Sequence, residues 1–233
     1  PNLSLLAGAH KGFNPPGPGS DSDSEESVNY EFGGRYGAGS LFVEAIGFYT
    51  DYENLVGTVT ESTGGGGEIG DQFDGGEAHV TGLELVGAYR YVGLTVPFEL
   101  SWTWTAEAEF DNGFESDYDP WGVVESGDEL PYIPEHQGRL YTGLLHRLWE
   151  VNLNITYTDE ARTRAGSGSI PDDESTDEAF VVDLAAAWRA TDWLDVVLRV
   201  DNLFDDTYIA ARRPAGVRPG RDRTAMLGLR MRM

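Results

Sequence analysis

The sequence predicts an all-β fold, an antiparallel transmembrane β-barrel of about ten strands. Three observations predict it. Stretches of alternating apolar and polar residues recur along the 233 residues, and no apolar run approaches the roughly 18 residues that a membrane-spanning helix needs. The links between these stretches alternate between short and long. Aromatic residues gather at both ends of the stretches, where a lipid bilayer meets water.

The strand-like segments lie near residues 2–12, 27–36, 41–55, 79–91, 96–110, 137–146, 149–160, 178–189, 193–203 and 223–233. The first opens in mid-strand on Pro1 and lacks a starting Met, so the chain is expected to be a piece of something longer. In the second, Val28, Tyr30, Phe32 and Tyr36 oppose Asn29, Glu31 and Arg35. The fifth, Phe98 to Phe110, reads as unbroken alternation: Phe98, Leu100, Trp102, Trp104, Ala106, Ala108 and Phe110 on one face. Segments 41–55 and 96–110 exceed the roughly 9–11 residues that a tilted strand needs to cross hydrocarbon, and are expected to run on beyond it. In the seventh, Trp149, Val151, Leu153, Ile155 and Tyr157 oppose Glu150, Asn152, Asn154, Thr156 and Thr158. In the ninth, Leu194, Val196, Leu198 and Val200 oppose Asp195, Val197 and Arg199.

The links at 37–40, 92–95, 147–148 and 190–192 are tight turns, whereas those at 13–26, 56–78, 111–136, 161–177 and 204–222 are long and polar. An up-and-down barrel sorts its loops this way, because one rim faces the periplasm and the other the exterior. Tyr36, Tyr91, Trp149 and Trp193 fall near the short turns, and Tyr49, Trp104 and Tyr157 toward the long loops.

Composition narrows the function. The net charge of −24 argues against nucleic acid as a partner, since phosphate binding needs a positive surface. The absence of Cys excludes disulfides, thiolate metal sites and thiol nucleophiles.

The end of the chain carries a family pattern. Asn202, Leu203, Phe204, Asp205 and Tyr208, followed by Gly220, Arg223, Gly228 and Leu229, resemble the closing strand pair of TonB-dependent outer-membrane receptors. Earlier stretches agree in order: "HKGFNPP" then "ESVNYEFGGRY", and "GFYTDYENLVG" then "AHVTGLELVGAYRY". Ferric-dicitrate-type members are the nearest in pattern. The resemblance spans residues 1–233 and implies the C-terminal portion of a barrel of about 22 strands whose N-terminal plug lies outside this chain. It implies a location in the bacterial outer membrane, contact with lipid and lipopolysaccharide, a ferric siderophore or citrate-like chelate as ligand, and energy supplied by the TonB complex through the missing N-terminal part. Met233 departs from the terminal Phe or Trp usual in the family, which puts efficient barrel insertion in question.

No enzymatic or cofactor motif emerges. There is no G-x-S-x-G, P-loop, G-x-G-x-x-G or H-E-x-x-H, and the four His (His10, His79, His136, His146) show no paired metal spacing. "SDSDSEES" and "GDQFDGGE" lack the order of an EF-hand calcium loop and read as solvated acidic loops. The first three long loops contain 17 Asp and Glu, whereas the last two contain Arg162 and Arg164, then Arg212, Arg213, Arg218 and Arg221. A ferric chelate with free carboxylates is an anion, and guanidinium binds carboxylate bidentately. Arg212, Arg213, Arg218 and Arg221 are therefore the candidate ligand-binding residues, and Arg223 reads as support for the barrel. The bland reading is that they pair with loop acids or with lipid phosphates. Two other functions compete with the receptor: a self-contained ten-stranded outer-membrane protease using His136 beside Glu135 or His79 near Glu77, and a soluble β-sandwich adhesion domain.

Overall fold

A computed structural model describes residues 2–60, 67–91, 96–213 and 216–232. The expected turn at 92–95, the side chain of Tyr91, and Pro1 and Met233 lie outside the described residues. The strands are β1 (Leu3–Asn14), β2 (Glu25–Ala38), β3 (Leu41–Tyr52), β4 (Val56–Thr58), β5 (Gln72–Asp74), β6 (Ala78–Tyr91), β7 (Val96–Phe110) and β8 (Phe114–Glu115). They continue as β9 (Val123–Val124), β10 (His136–Leu145), β11 (Trp149–Thr158), β12 (Ala179–Arg189), β13 (Leu194–Asp201), β14 (Ile209–Ala211), β15 (Arg218–Pro219) and β16 (Thr224–Met231).

Ten of these form one antiparallel sheet in the order β1-β2-β3-β6-β7-β10-β11-β12-β13-β16. The six short strands pair among themselves within the long loops, as β4–β5, β8–β9 and β14–β15. The sheet is thus an up-and-down meander ending on β1 and β16, and the barrel is not closed by this chain.

Register decides the faces. Across β10 to β12, Leu140 pairs with Ile155 and Ile155 with Val182. Across β12 to β16, Trp188 pairs with Val196 and Val196 with Leu229. One face is therefore a continuous apolar row from strand to strand. The other is polar and bonded across strands: Arg35 donates to Glu44 (2.6 Å), Tyr141 to Asn152 (2.6 Å) and Asn154 to Asp183 (3.3 Å).

A soluble sandwich would cover the apolar row with a second sheet. Here Leu5, Phe32 and Leu227 are 74%, 69% and 77% exposed, although Val182 and Val200 are buried. The main buried cluster instead sits among the loops: Val59, Ala78, Phe110, Tyr118, Trp121, Val124 and Leu130. An uncovered apolar face with its polar counterpart turned inward suits hydrocarbon outside and water or protein inside.

One expectation is corrected. The alternation of β7 does slip: Thr105 pairs with Gly82 and Glu107 with Thr81, leaving Ala106 as a β-bulge. Beyond it the faces exchange. Glu107 joins the outer row, where His79 approaches it at 3.6 Å and stacks on Tyr49, while Phe110 turns into the loop core at 1% exposure. Ala at 106 and 108 hid the slip, because a methyl group fits either face.

Candidate functional site

The long loops are not the simple polar connections expected from sequence. The segment 111–135 folds around Trp121, whose ring meets Phe110, Phe114 and Tyr118 edge-on at centroid distances of 5.9, 5.7 and 4.9 Å. The turn that delivers it closes through Trp121 N–H to Tyr118 O (2.8 Å), with Gly122 at φ 66°. Segments from neighbouring loops pack on this core. Gly57 and Gly75 approach the Tyr118 and Trp121 rings so closely that a Cβ at either would lie under 3.0 Å from ring carbons.

Ion pairs then bind the loops together. Arg162 is buried; its Nε donates to Glu129 (2.6 Å) and its Nη2 to the carbonyl of Gly168 (3.0 Å). Glu129 in turn bridges the backbones of Glu109 and Gly166. Asp119 receives Arg164 at 2.6 Å through Oδ1 and Arg213 through Oδ2, so one carboxylate joins three successive loops. Burial lowers the pKa of Arg213, though a guanidinium stays charged at any physiological pH.

The four nominated arginines divide by place. Arg212 donates to the carbonyls of Ser175 and Asp172, each at 2.5 Å, reaching onto loop 159–178. Arg213 reaches Asp119. Arg221 is exposed at the loop root, 3.3 Å from Asp201, which also accepts from Arg199 at 2.7 Å. Arg218 is exposed on β15, paired in register with Ala211. Pro214 and Ala215 between them lie outside the described residues. Arg223 lies 3.2 Å from Asp205 and its N–H donates to the same carboxylate.

The Asn-Leu-Phe-Asp stretch is the clamp of this last loop. Asn202 and Asp205 both take positive φ (51° and 61°), a region that Asn and Asp tolerate. Asn202 is 1% exposed; its amide donates to the carbonyls of Asp206 (2.8 Å) and Arg221 (2.9 Å) and accepts from Asp206 N–H (2.9 Å). The motif was legible; its clamping role was not.

Other candidate groups fall on the outer row. His136 packs against Trp102 and Trp104, with Nε2 3.7 Å from Glu135, and His79 is held by Asp111 at 2.8 Å. Strand β7 separates the two, so they do not converge on one substrate position. A cavity of about 650 Å³ opens beside them, lined by carboxylates including Glu107, Glu109, Glu135, Asp159 and Glu178. In the acidic loops, Asp74 accepts from Asp23 N–H (3.1 Å) and Asn54 (3.0 Å), and Asp71 from Glu68 N–H (2.7 Å), so these carboxylates hold loop backbone.

Known proteins place this architecture. The model of the family "TonB dependent receptor-like, beta-barrel" matches residues 1–203. The pesticin receptor of Yersinia enterocolitica is 26% identical over 200 residues, covering 79% of this chain and 25% of the receptor. That of Yersinia pestis is 25% identical over 197 residues. The chain thus spans about a quarter of the length of the curated relatives it matches. Among solved structures, the ferric-catecholate import receptor Fiu of E. coli K12 superposes with a TM-score of 0.73 at 23% identity, covering 99% of this chain and 33% of that one. The ferric yersiniabactin uptake receptor FyuA of Yersinia pestis gives 0.66 at 19% identity, covering 98% and 34%. The meander, its lipid-suited outer row and the family match agree: the chain belongs to the TonB-dependent receptor β-barrel family of the bacterial outer membrane.

Proposed function

We propose that this chain is the C-terminal wall of an outer-membrane receptor that takes up an anionic ferric chelate, a siderophore or a citrate complex, with energy delivered by TonB through a part of the protein outside these residues. In this reading the chain completes a barrel of about 22 strands around an N-terminal plug. The observation that carries it is the placement of arginine at the loop end, where the first three long loops contain no Lys or Arg. In a chain of net charge −24, the last two long loops concentrate Arg162, Arg164, Arg212, Arg213, Arg218 and Arg221.

These arginines have different tasks. Arg162, Arg164 and Arg213 hold the loops in a fixed arrangement by pairing with Glu129 and Asp119. Arg218 and Arg221 present exposed guanidiniums on the same loop cluster, and Arg212 joins them through its remaining donors. The similar structures include receptors for ferric catecholate, ferric yersiniabactin and ferric enterobactin, which supports a ferric siderophore as the ligand class.

The test is a titration of detergent-refolded protein with ferric dicitrate, a ferric catecholate and a neutral ferric hydroxamate, followed by tryptophan fluorescence. Saturable binding of an anionic chelate, weakened by joint Arg218→Gln and Arg221→Gln substitution, is the expected result. Preference for the neutral chelate, or binding indifferent to these substitutions, would withdraw the arginine assignment.

A further inference from the structure

At the root of the loop cluster, in the middle of the wall, one imidazole faces two carboxylates. On the outward face of β6, Leu83 and Leu85 belong to the apolar belt, and His79 stands beyond it toward the loops. Its Nδ1 lies 2.8 Å from Asp111 Oδ1, and its Nε2 lies 3.6 Å from Glu107. The ring stacks on Tyr49 at a centroid distance of 5.9 Å, and the side chain is 18% exposed. Its row runs across the strands from Lys11 through Val28 and Asp51 to His79, then to Glu109 and Glu129. Lys11 is three strands away and pairs with Glu26 at 2.5 Å.

A neutral imidazole donates from one ring nitrogen and sets a lone pair on the other, whereas an imidazolium donates from both. Ionised Asp111 and Glu107 have no proton to give, so the neutral ring suits one of them and only the charged ring suits both. Tyr49 offers that charge an aromatic face within cation–π range. The other charged groups on the elements packed against His79 are its register partners Asp51 on β3 and Glu109 on β7, with Glu77 just before β6. Burial opposes the charge, but the hydrogen bond to Asp111 and the charges of Asp111 and Glu107 outweigh it and raise the pKa above the ordinary 6.5.

The two carboxylates flank the segment that closes the loop core. Between the bulge at Ala106 and the start of the long loop, Phe110 turns inward at 1% exposure and meets Trp121 edge-on. Around it the backbone is tied in three places: Asp111 N–H donates to the carbonyl of Glu77 (2.9 Å), Ser126 Oγ to that of Asp111 (2.9 Å), and Gly127 N–H to that of Phe110 (2.8 Å). By holding Glu107 on one side of Phe110 and Asp111 on the other, His79 fastens this segment to β6.

We propose that His79 is a proton-operated clamp at the root of the 111–135 loop core: charged, it holds Glu107 and Asp111 together and keeps the core closed; neutral, it keeps Asp111 alone and lets the root open. Because the folded protein raises the affinity of this ring for its proton, the stabilisation is full below the ordinary imidazole range and is lost as pH rises through the higher folded-state value. The clamp needs no ligand, so it stands or falls apart from the chelate reading.

The experiment uses the full 233-residue chain refolded in detergent, with folding confirmed by heat-modifiable migration and far-UV circular dichroism. Hydrogen-exchange mass spectrometry gives amide protection, taken against the unstructured rate at the same pH, from about pH 5.5 to about pH 8.5. Protection of β8, β9 and residues 127–130 should fall roughly threefold to fivefold as pH rises, the worth of a partly exposed ion pair, while β11 and β12 keep theirs. His79→Gln should hold the loop core at its high-pH protection throughout, and His136→Gln should leave the pH dependence in place. If His79→Gln does not refold, Asp111→Asn carries the test, because it keeps the ring, removes its closer carboxylate and should flatten the same profile. A flat profile in the unsubstituted chain, or a pH dependence that survives either His79→Gln or Asp111→Asn, would overturn the clamp.

Discussion

Replacing Trp121 with Ala tests whether the loops form a cooperative unit separate from the wall. The indole is 6% exposed and serves as the common edge-to-face partner of Phe110, Phe114 and Tyr118. A buried Trp removes roughly 200 Å² from water, worth about 5 kcal/mol at about 25 cal/mol per Å². Large-to-small core substitutions of Trp cost roughly 3–5 kcal/mol, so about 4 kcal/mol is a fair expectation. That loss falls on the loop cluster, because the ladders among β10, β11, β12 and β13 owe nothing to the indole. Local opening free energy and amide protection are linked, and about 4 kcal/mol corresponds to roughly a thousandfold faster exchange. Hydrogen-exchange mass spectrometry on detergent-refolded protein is the assay. Amides of β8, β9 and residues 127–130 should lose protection to about that extent while wall amides keep theirs. Equal loss in wall and loops would refute the separation, and unchanged loop protection would refute the role of Trp121.

Three further outcomes follow from the same geometry. Gly75→Ala should destabilise the loop cluster by about 1–3 kcal/mol in the same exchange assay, since the added Cβ would meet the Trp121 ring at 2.4 Å and the backbone oxygen of Leu55 at 2.8 Å. Leu100→Arg, on the outer row, should cost roughly 2–4 kcal/mol near the bilayer midplane, while Ser101→Arg on the inner row should not; the fraction of heat-modifiable protein recovered on refolding into lipid separates the two, and equal yields would reverse the assignment of faces. Asn202→Leu leaves the carbonyls of Asp206 and Arg221 and the N–H of Asp206 without their side-chain partner, and should loosen the last loop by at least about 2 kcal/mol. Faster proteolytic cleavage within 203–222 at unchanged wall exchange would show it.

The ten-strand meander was legible in the sequence because the period of a strand is local. Trp149 to Tyr157 alternates, and Trp149 to Thr158 is strand β11. Loop sorting was legible for the same reason: the two-residue link at 147–148 and the long one at 161–177 can be counted directly. What alternation could not supply was the bulge at Ala106, because only the partner strand's register reveals a residue without a mate. Nor could it show that "DYDPWGVV" builds a core of its own: Tyr118, Trp121 and Val124 come together with Phe110 and Val59 only when three separate segments close on one another. The arginines mark the same boundary. Their types and their crowding into the last two loops were written in the chain. That Arg213 and Arg164 both meet Asp119 depends on a carboxylate far away in sequence. Sequence by itself determined the strands, their order and the chemistry of each face. The tertiary structure decided which charges meet, because pairing depends on distance in space, which strand register sets within the wall and loop packing sets above it.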